Sequence, residues 1–165
     1  MTDTQTSTRT LHILAEKFSV RGRAGFQAIV GQEFVLDSWH LITQEAIDAF
    51  ETACEEPGAR GQPVVPGFMT LGLTVKLFFD TFDVQGFGSF LNYGVNRMRL
   101  PHPLMVGERV RARVKIMEVR EVSAAIDVVT QLVFERDGAQ KPVCWAEWIG
   151  RGYETRTHPG QGCTP

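Results

Sequence analysis

The stretch FMTLGLTVKLFFDTF, Phe68 to Phe82, decides the fold of this 165-residue chain. Leu71, Val75, Phe78, Phe79 and Phe82 recur at helical spacing, while Met69, Leu73 and Leu77 cover much of the remaining circumference. Lys76 and Asp80, with Asp83 just beyond, are its charges, and they gather toward the C-terminal half. A helix that is apolar nearly all round has to be covered on most sides. The rest of the chain must therefore wrap around it.

Downstream, the pattern changes to strands after Gly86. Phe90–Leu100, Arg109–Val119, Ala125–Phe134 and Val143–Tyr153 are β-rich or alternating. Val110, Ala112, Val114 and Ile116 alternate with Arg111, Arg113 and Lys115, the period of a half-buried strand. Asp137-Gly138 marks a turn between the last two strands. Upstream, Glu33–Leu41 reads as a strand, and Thr43 is placed to cap a helix carrying Ile47, Phe50, Ala53 and Cys54 on one face. Leu11–Phe18 reads as a short helix, broken by Arg21-Gly22-Arg23, and Ala24–Val30 as another turn or two ending at Gly31. Residues 57–66 hold three prolines and two glycines and read as a loop. One buried helix with strands before and after it gives an α+β chain, a curved antiparallel sheet wrapped around a central helix.

Composition narrows the function. Hydrophobic residues make up 43% and charged residues 22%, with a net charge of −2, which is ordinary for a globular domain and gives no cause to expect a nucleic-acid partner. No apolar run approaches the roughly 20 residues of a membrane span. Residues 1–10, rich in Thr and without an apolar core, read as a disordered lead-in rather than a secretory signal, residues 11–154 as one domain, and 155–165 as a loose tail. Cys54, Cys144 and Cys163 show no paired spacing, so no disulfide framework or metal site is expected and a reducing cytoplasm fits. No cofactor motif is present.

Four segments carry a family resemblance: residues 29–50 (IVGQEFVLDSWHLITQEAIDAF), 67–74 (GFMTLGLT), 92–109 (NYGVNRMRLPHPLMVGER) and Cys144–Trp148. The run Asn-Tyr-Gly-x-x-Arg-x-Arg, followed by Pro, Val-Gly and a basic strand, is the most specific part. Together they resemble the MaoC-like hydratases and dehydratases, particularly the branch similar to nodulation protein N, and the resemblance implies a hotdog fold. It also implies a homodimer, or a heterodimer with a hotdog homologue, that binds an acyl thioester on CoA or acyl carrier protein. In such proteins the thioester carbonyl points at the N-terminus of the central helix. An Asp and a His, five residues apart after the first helix, handle water and proton.

Here that pair is missing. Counted from Ile47, Glu56 falls at the Asp position and Gly61 at the His position, and no histidine occurs between His40 and His102. The family's Ala-His-Gly motif at the central helix reads Val65-Pro66-Gly67, and the excursion before it is shortened. Hydration of an enoyl thioester needs both a base for water and an acid for the α-carbon. Glu56 is a side-chain base for a rearranged site, or, with Glu55, simply a solvated helix end. The Gly67 backbone N–H, at a helix start, can polarise a carbonyl without any side chain. Pro66 suits that entry because it has no N–H, although Pro-Gly also makes an ordinary tight turn.

Pro66, Phe68, Asn92 and Tyr93 are expected around the substrate, with core packing as the competing role for Tyr93. Arg97, Arg99, Arg111 and Arg113 either attract a phosphate or form an ordinary basic strand face. His40 and His102 read as structural or exposed. The expectation is an acyl-thioester binder, a divergent dehydratase-like, hydratase-like or cyclase-like lyase. The alternatives are a non-catalytic hotdog subunit that pairs with an active homologue, and an acyl-CoA thioesterase.

Overall fold

The computed structural model describes residues 10–55 and 63–155. In chain order they form β1 (Leu11–Leu14), β2 (Phe18–Arg21), α1 (Gly22–Ala28), β3 (Glu33–Leu36), β4 (His40–Leu41), α2 (Gln44–Cys54) and α3 (Gly67–Thr81). There follow β5 (Phe82–Gln85), β6 (Phe87–Arg99), β7 (Arg109–Val122), β8 (Ala125–Arg136) and β9 (Cys144–Glu154). The main sheet runs β1-β3-β7-β8-β9-β6, with β4 also on β7. Its long strands are antiparallel, and α3 lies against it, touching β3, β5, β7 and β9. This is the α+β arrangement expected around Phe68–Phe82.

Local signals explain much of it. The Thr43 hydroxyl accepts the Ala46 N–H at 3.3 Å and starts α2, and Glu55 in a left-handed conformation (φ 52°) ends it. Along β7, Val110, Ala112, Val114 and Ile116 are buried and the intervening Arg111, Arg113 and Lys115 are not. Asp137-Gly138 does turn the chain, with Gly138 at φ 72°, but within a longer connection, 137–143, rather than a two-residue hairpin.

The N-terminal segment corrects one expectation. Leu11–Phe18 is not a helix. β1 lies parallel to β3, pairing Leu11 with Glu33, and β2 lies parallel to β5, pairing Phe18 with Phe82. These partners come from far along the chain, and long-range pairing overrides weak local periodicity. β5 itself begins where the apolar run of α3 was expected to end.

The core is aromatic. Phe78 is fully buried, with ring centroids 4.9 Å from Trp148, 5.2 Å from Phe82 and 5.9 Å from Phe90. Gly150 on β9 makes room for this cluster, since a Cβ there would sit 2.2 Å from Phe90 Cε1. Not all of α3 is buried so deeply: Met69, Leu77 and Phe78 are, Leu71 and Val75 are half-buried, and Phe68 is exposed. No helix among the described residues is long and apolar enough to cross a membrane. Replacing Phe78 by Ala should lower unfolding free energy by about 3–5 kcal/mol, read from denaturant titration, because the rigid ring cage cannot collapse onto the void.

Candidate functional site

The site is assembled where residues 63–66 deliver the chain into α3. Val64 forms an antiparallel bridge with Met105, the Val65 N–H donates to the Leu104 carbonyl at 2.8 Å, and the Val106 N–H donates to the Pro63 carbonyl at 2.8 Å. Pro66 then takes an extended conformation (φ −54°, ψ 139°) and turns the chain into the helix. Its carbonyl receives both the Thr70 N–H at 2.9 Å and the Thr70 hydroxyl at 3.2 Å. No side chain caps α3, so the Gly67 N–H stands in the first turn without an intrahelical acceptor and at the positive end of the dipole. The absence of a side chain at Gly67 has a local cause as well, because a Cβ would lie 2.8 Å from Leu100 Cδ1.

Two grooves flank this helix start. One, of about 360 Å³, is bounded by Val64, Gly67, Thr70, Leu100, His102 and Leu104. The other, of about 250 Å³, runs between α3 and β6 and is lined by Phe68, Val75, Asn92, Tyr93 and Trp148. The structure therefore gathers Phe68, Asn92 and Tyr93 at one groove and sets Gly67 in the other. Pro66 is buried and acts through its carbonyl. Glu56 lies outside the described residues.

Tyr93 is not in the core. It falls at a register irregularity in β6, between the pairs Asn92–Gly150 and Gly94–Ile149, and is 56% exposed. The Arg151 guanidinium lies over its ring, 3.4 Å from the centroid. Arg151 is fixed in turn by two hydrogen bonds to buried Asp127, at 2.6 and 2.8 Å. The hydrogen bonds from Arg151 hold the Asp127 carboxyl below its ordinary range, against the opposing effect of burial.

The remaining candidates divide clearly. Arg111 and Arg113 are committed to carboxylates: Arg111 binds Glu135 at 2.9 Å and Asp37 at 3.3 Å, Arg113 reaches Glu135 and Glu33, and Arg111 also covers Trp39. They form a paired strand face. His40 lines a separate small polar pocket with Lys76 and Asp80, toward the C-terminal half of α3. Burial lowers its pKa, Lys76 lowers it further and Asp80 opposes both. Burial pushes the Cys144 thiol up to about 11, which keeps it an unreactive core residue. Among the described residues no group of three or more His, Cys, Asp or Glu is placed to hold a metal. What the sequence reading missed is His102 in the same groove as Gly67. Its only sequence signal was a histidine between two prolines, and the proximity depends on the bridge between Val64 and Met105.

The chain is 31% identical over 141 residues to 3-hydroxyacyl-thioester dehydratase Z of Mycobacterium tuberculosis, covering 78% of this chain and 93% of that protein. It belongs to the MaoC-like family of hotdog proteins. The fold agrees: a MaoC-like dehydratase from Rhodospirillum rubrum superposes with a TM-score of 0.57 at 14% identity, covering 76% of this chain and 93% of that one. A C-terminally truncated HadBC (3R-hydroxyacyl-ACP dehydratase) complex from Mycobacterium tuberculosis gives 0.56 at 24% identity, over 75% and 97% of the two chains. No protein-family model matches the chain.

The Asp127–Arg151 pair has a measurable consequence for the β6 groove. Because the folded carboxyl titrates below its unfolded value, its stabilisation is full above the ordinary aspartate range near 4 and is lost as pH falls through the folded value. Asp127→Asn should therefore be less stable than the parent at neutral pH. The gap should close on acidification, as followed by thermal unfolding at several pH values.

Proposed function

We propose that this chain binds an acyl thioester, carried on CoA or acyl carrier protein, with the thioester carbonyl against the N-terminus of α3. In this reading it acts as a divergent hydratase or dehydratase. One observation carries the proposal: Gly67, whose N–H has no intrahelical acceptor and no side-chain cap, lines a groove of about 360 Å³. A donor fixed there stabilises the oxyanion that forms when an α-proton leaves, and it costs no reorganisation during reaction. Family membership and the dehydratase relative support the substrate class.

The rest of the site differs from the family's usual one. No histidine lies between His40 and His102, so the Asp/His pair after the first helix has no imidazole, and Glu56 is the remaining side-chain base in that segment. A cyclase-like reaction that needs only carbonyl polarisation falls within the same reading. Hydrolysis of the thioester is the outlying version, and release of free thiol from acyl-CoA separates it from hydration. The two described cysteines, both unpaired, support a cytoplasmic setting.

A second reading rests on β6. This strand is the end of the main sheet, and Leu91, Tyr93 and Val95 on it are exposed, as is Phe68 beside them. An apolar edge of this kind suits pairing with another hotdog chain, either a second copy or a homologue that keeps the Asp/His pair. That the neighbouring HadBC structure is of a complex supports this reading. If this chain serves only as the partner subunit, it will form a stable complex with the homologue and turn over nothing alone.

Crotonyl-CoA, longer enoyl-CoA and 3-hydroxyacyl-CoA are the test substrates. Gly67→Pro removes the donor while proline is tolerated at the first helical position, and the extended conformation of Pro66 already suits a following proline. It should lower kcat by about 10²–10³. Gly67→Ala keeps the N–H and meets only the flexible end of Leu100, so it should lose much less. No turnover of any of these substrates by the parent would remove the hydratase version, and unchanged turnover by Glu56→Gln would remove Glu56 as its base.

A further inference from the structure

We propose that His102 is the proton-transfer group of this site. The inference rests on the thioester-binding reading of Gly67 and adds to it an imidazole, which the shortened segment before α3 lacks.

The geometry points this way through strand register. Val64 bridges Met105 and Val65 donates to Leu104, both antiparallel. That pairing carries residues 101–104 alongside the entrance to α3, and Gly67 and His102 line the same groove. Pro101 and Pro103 fix the backbone on either side of His102, so the imidazole is presented from a stiff turn. His102 is half-buried and has no hydrogen-bond or ion-pair partner among the described residues.

The other groove residues cannot move a proton. Val64, Val65, Leu100, Pro103, Leu104 and Val143 are apolar, and the Thr70 hydroxyl already donates to the Pro66 carbonyl. Among the described residues, His102 is thus the single titratable side chain lining a groove that also holds a backbone donor without an intrahelical acceptor.

One imidazole opposite one oxyanion donor is sufficient for dehydration of a 3-hydroxyacyl thioester. The neutral imidazole takes the α-proton, and the C–H electron pair moves into the carbonyl to give an enolate held by the Gly67 N–H. Collapse of the enolate forms the Cα–Cβ double bond and breaks the Cβ–O bond. The imidazolium returns its proton to the departing hydroxyl, which leaves as water. Nothing is oxidised or reduced, and the imidazole ends neutral. Hydration is the same sequence reversed. A single base serving both carbons requires that proton and hydroxyl leave from one face, which is what one histidine on one wall of the groove provides.

The test compares the parent with His102→Gln and His102→Asn in the full-length chain, using 3-hydroxybutyryl-CoA and crotonyl-CoA. The proposal expects kcat to fall by about 10²–10⁴ with KM within about twofold. It also expects the thermal midpoint to be unchanged, and exchange of the α-proton with solvent deuterium to be lost in both variants. Retention of kcat within about twofold in both variants, while Gly67→Pro is impaired, overturns the role of His102 and leaves the Gly67 reading standing. A parent that binds these thioesters by calorimetry without turning them over also overturns it, leaving a binding protein. If the parent neither binds nor turns over any of them, the Gly67 reading fails and takes this one with it.

Discussion

The aromatic contact between α3 and the sheet is the constraint on which the rest of the molecule depends. Phe78 sits at the centre of a cage made by Phe26, Phe82, Phe90 and Trp148, which come from α1, β5, β6 and β9. Rings of this size bury large areas and prefer tilted or edge-on geometries, so they fix orientation as well as distance. Gly150 lets Phe90 cross close to the β9 backbone, which draws β6 against α3. With the axis of the helix set in this way, the direction of its first turn is set too. The functional proposals concern atoms at that turn.

This arrangement separates scaffold from chemistry. The buried face of α3 works for stability, while its entrance, made by Val65-Pro66-Gly67, contributes a backbone donor and almost no polar side chains. Proline and glycine there serve complementary ends. Pro66 imposes the extended entry, and Gly67 allows Leu100 to come close without shielding the N–H with a Cβ.

The parts of the fold governed by local rules were legible in the sequence. The apolar run of α3, the alternation along β7 and the Thr43 cap each depend on residues within a turn or two of one another. The parts governed by distant pairing were not. Leu11–Phe18 looks weakly helical until Glu33–Leu36 is brought alongside Leu11–Leu14 and Phe82–Gln85 alongside Phe18–Arg21. The site followed the same division. The position of Gly67 at a helix start was legible because a Pro-Gly step before an apolar run marks one, and Phe68, Asn92 and Tyr93 line one groove. The nearness of His102 to Gly67 was not legible, since 35 positions separate them and only the pairing of Val64 with Met105 closes that gap. The exposure of Tyr93, which set aside core packing as its competing role, was not legible either, because an irregularity in strand register is silent in the sequence.

The parallel pairing of β2 with β5, and of β1 with β3, also governs how the chain can be made. β2 has its partner only once residues 82–85 exist, and β3 is paired on its other side by residues 113–115 of β7. On a ribosome, the first half of this protein therefore emerges with its strand edges open and its phenylalanines uncovered, and it waits for the second half to arrive. Contacts of such sequence separation form slowly and leave apolar surface exposed meanwhile. Vectorial synthesis thus makes the late β7–β9 segment the step that completes the sheet around the nascent chain.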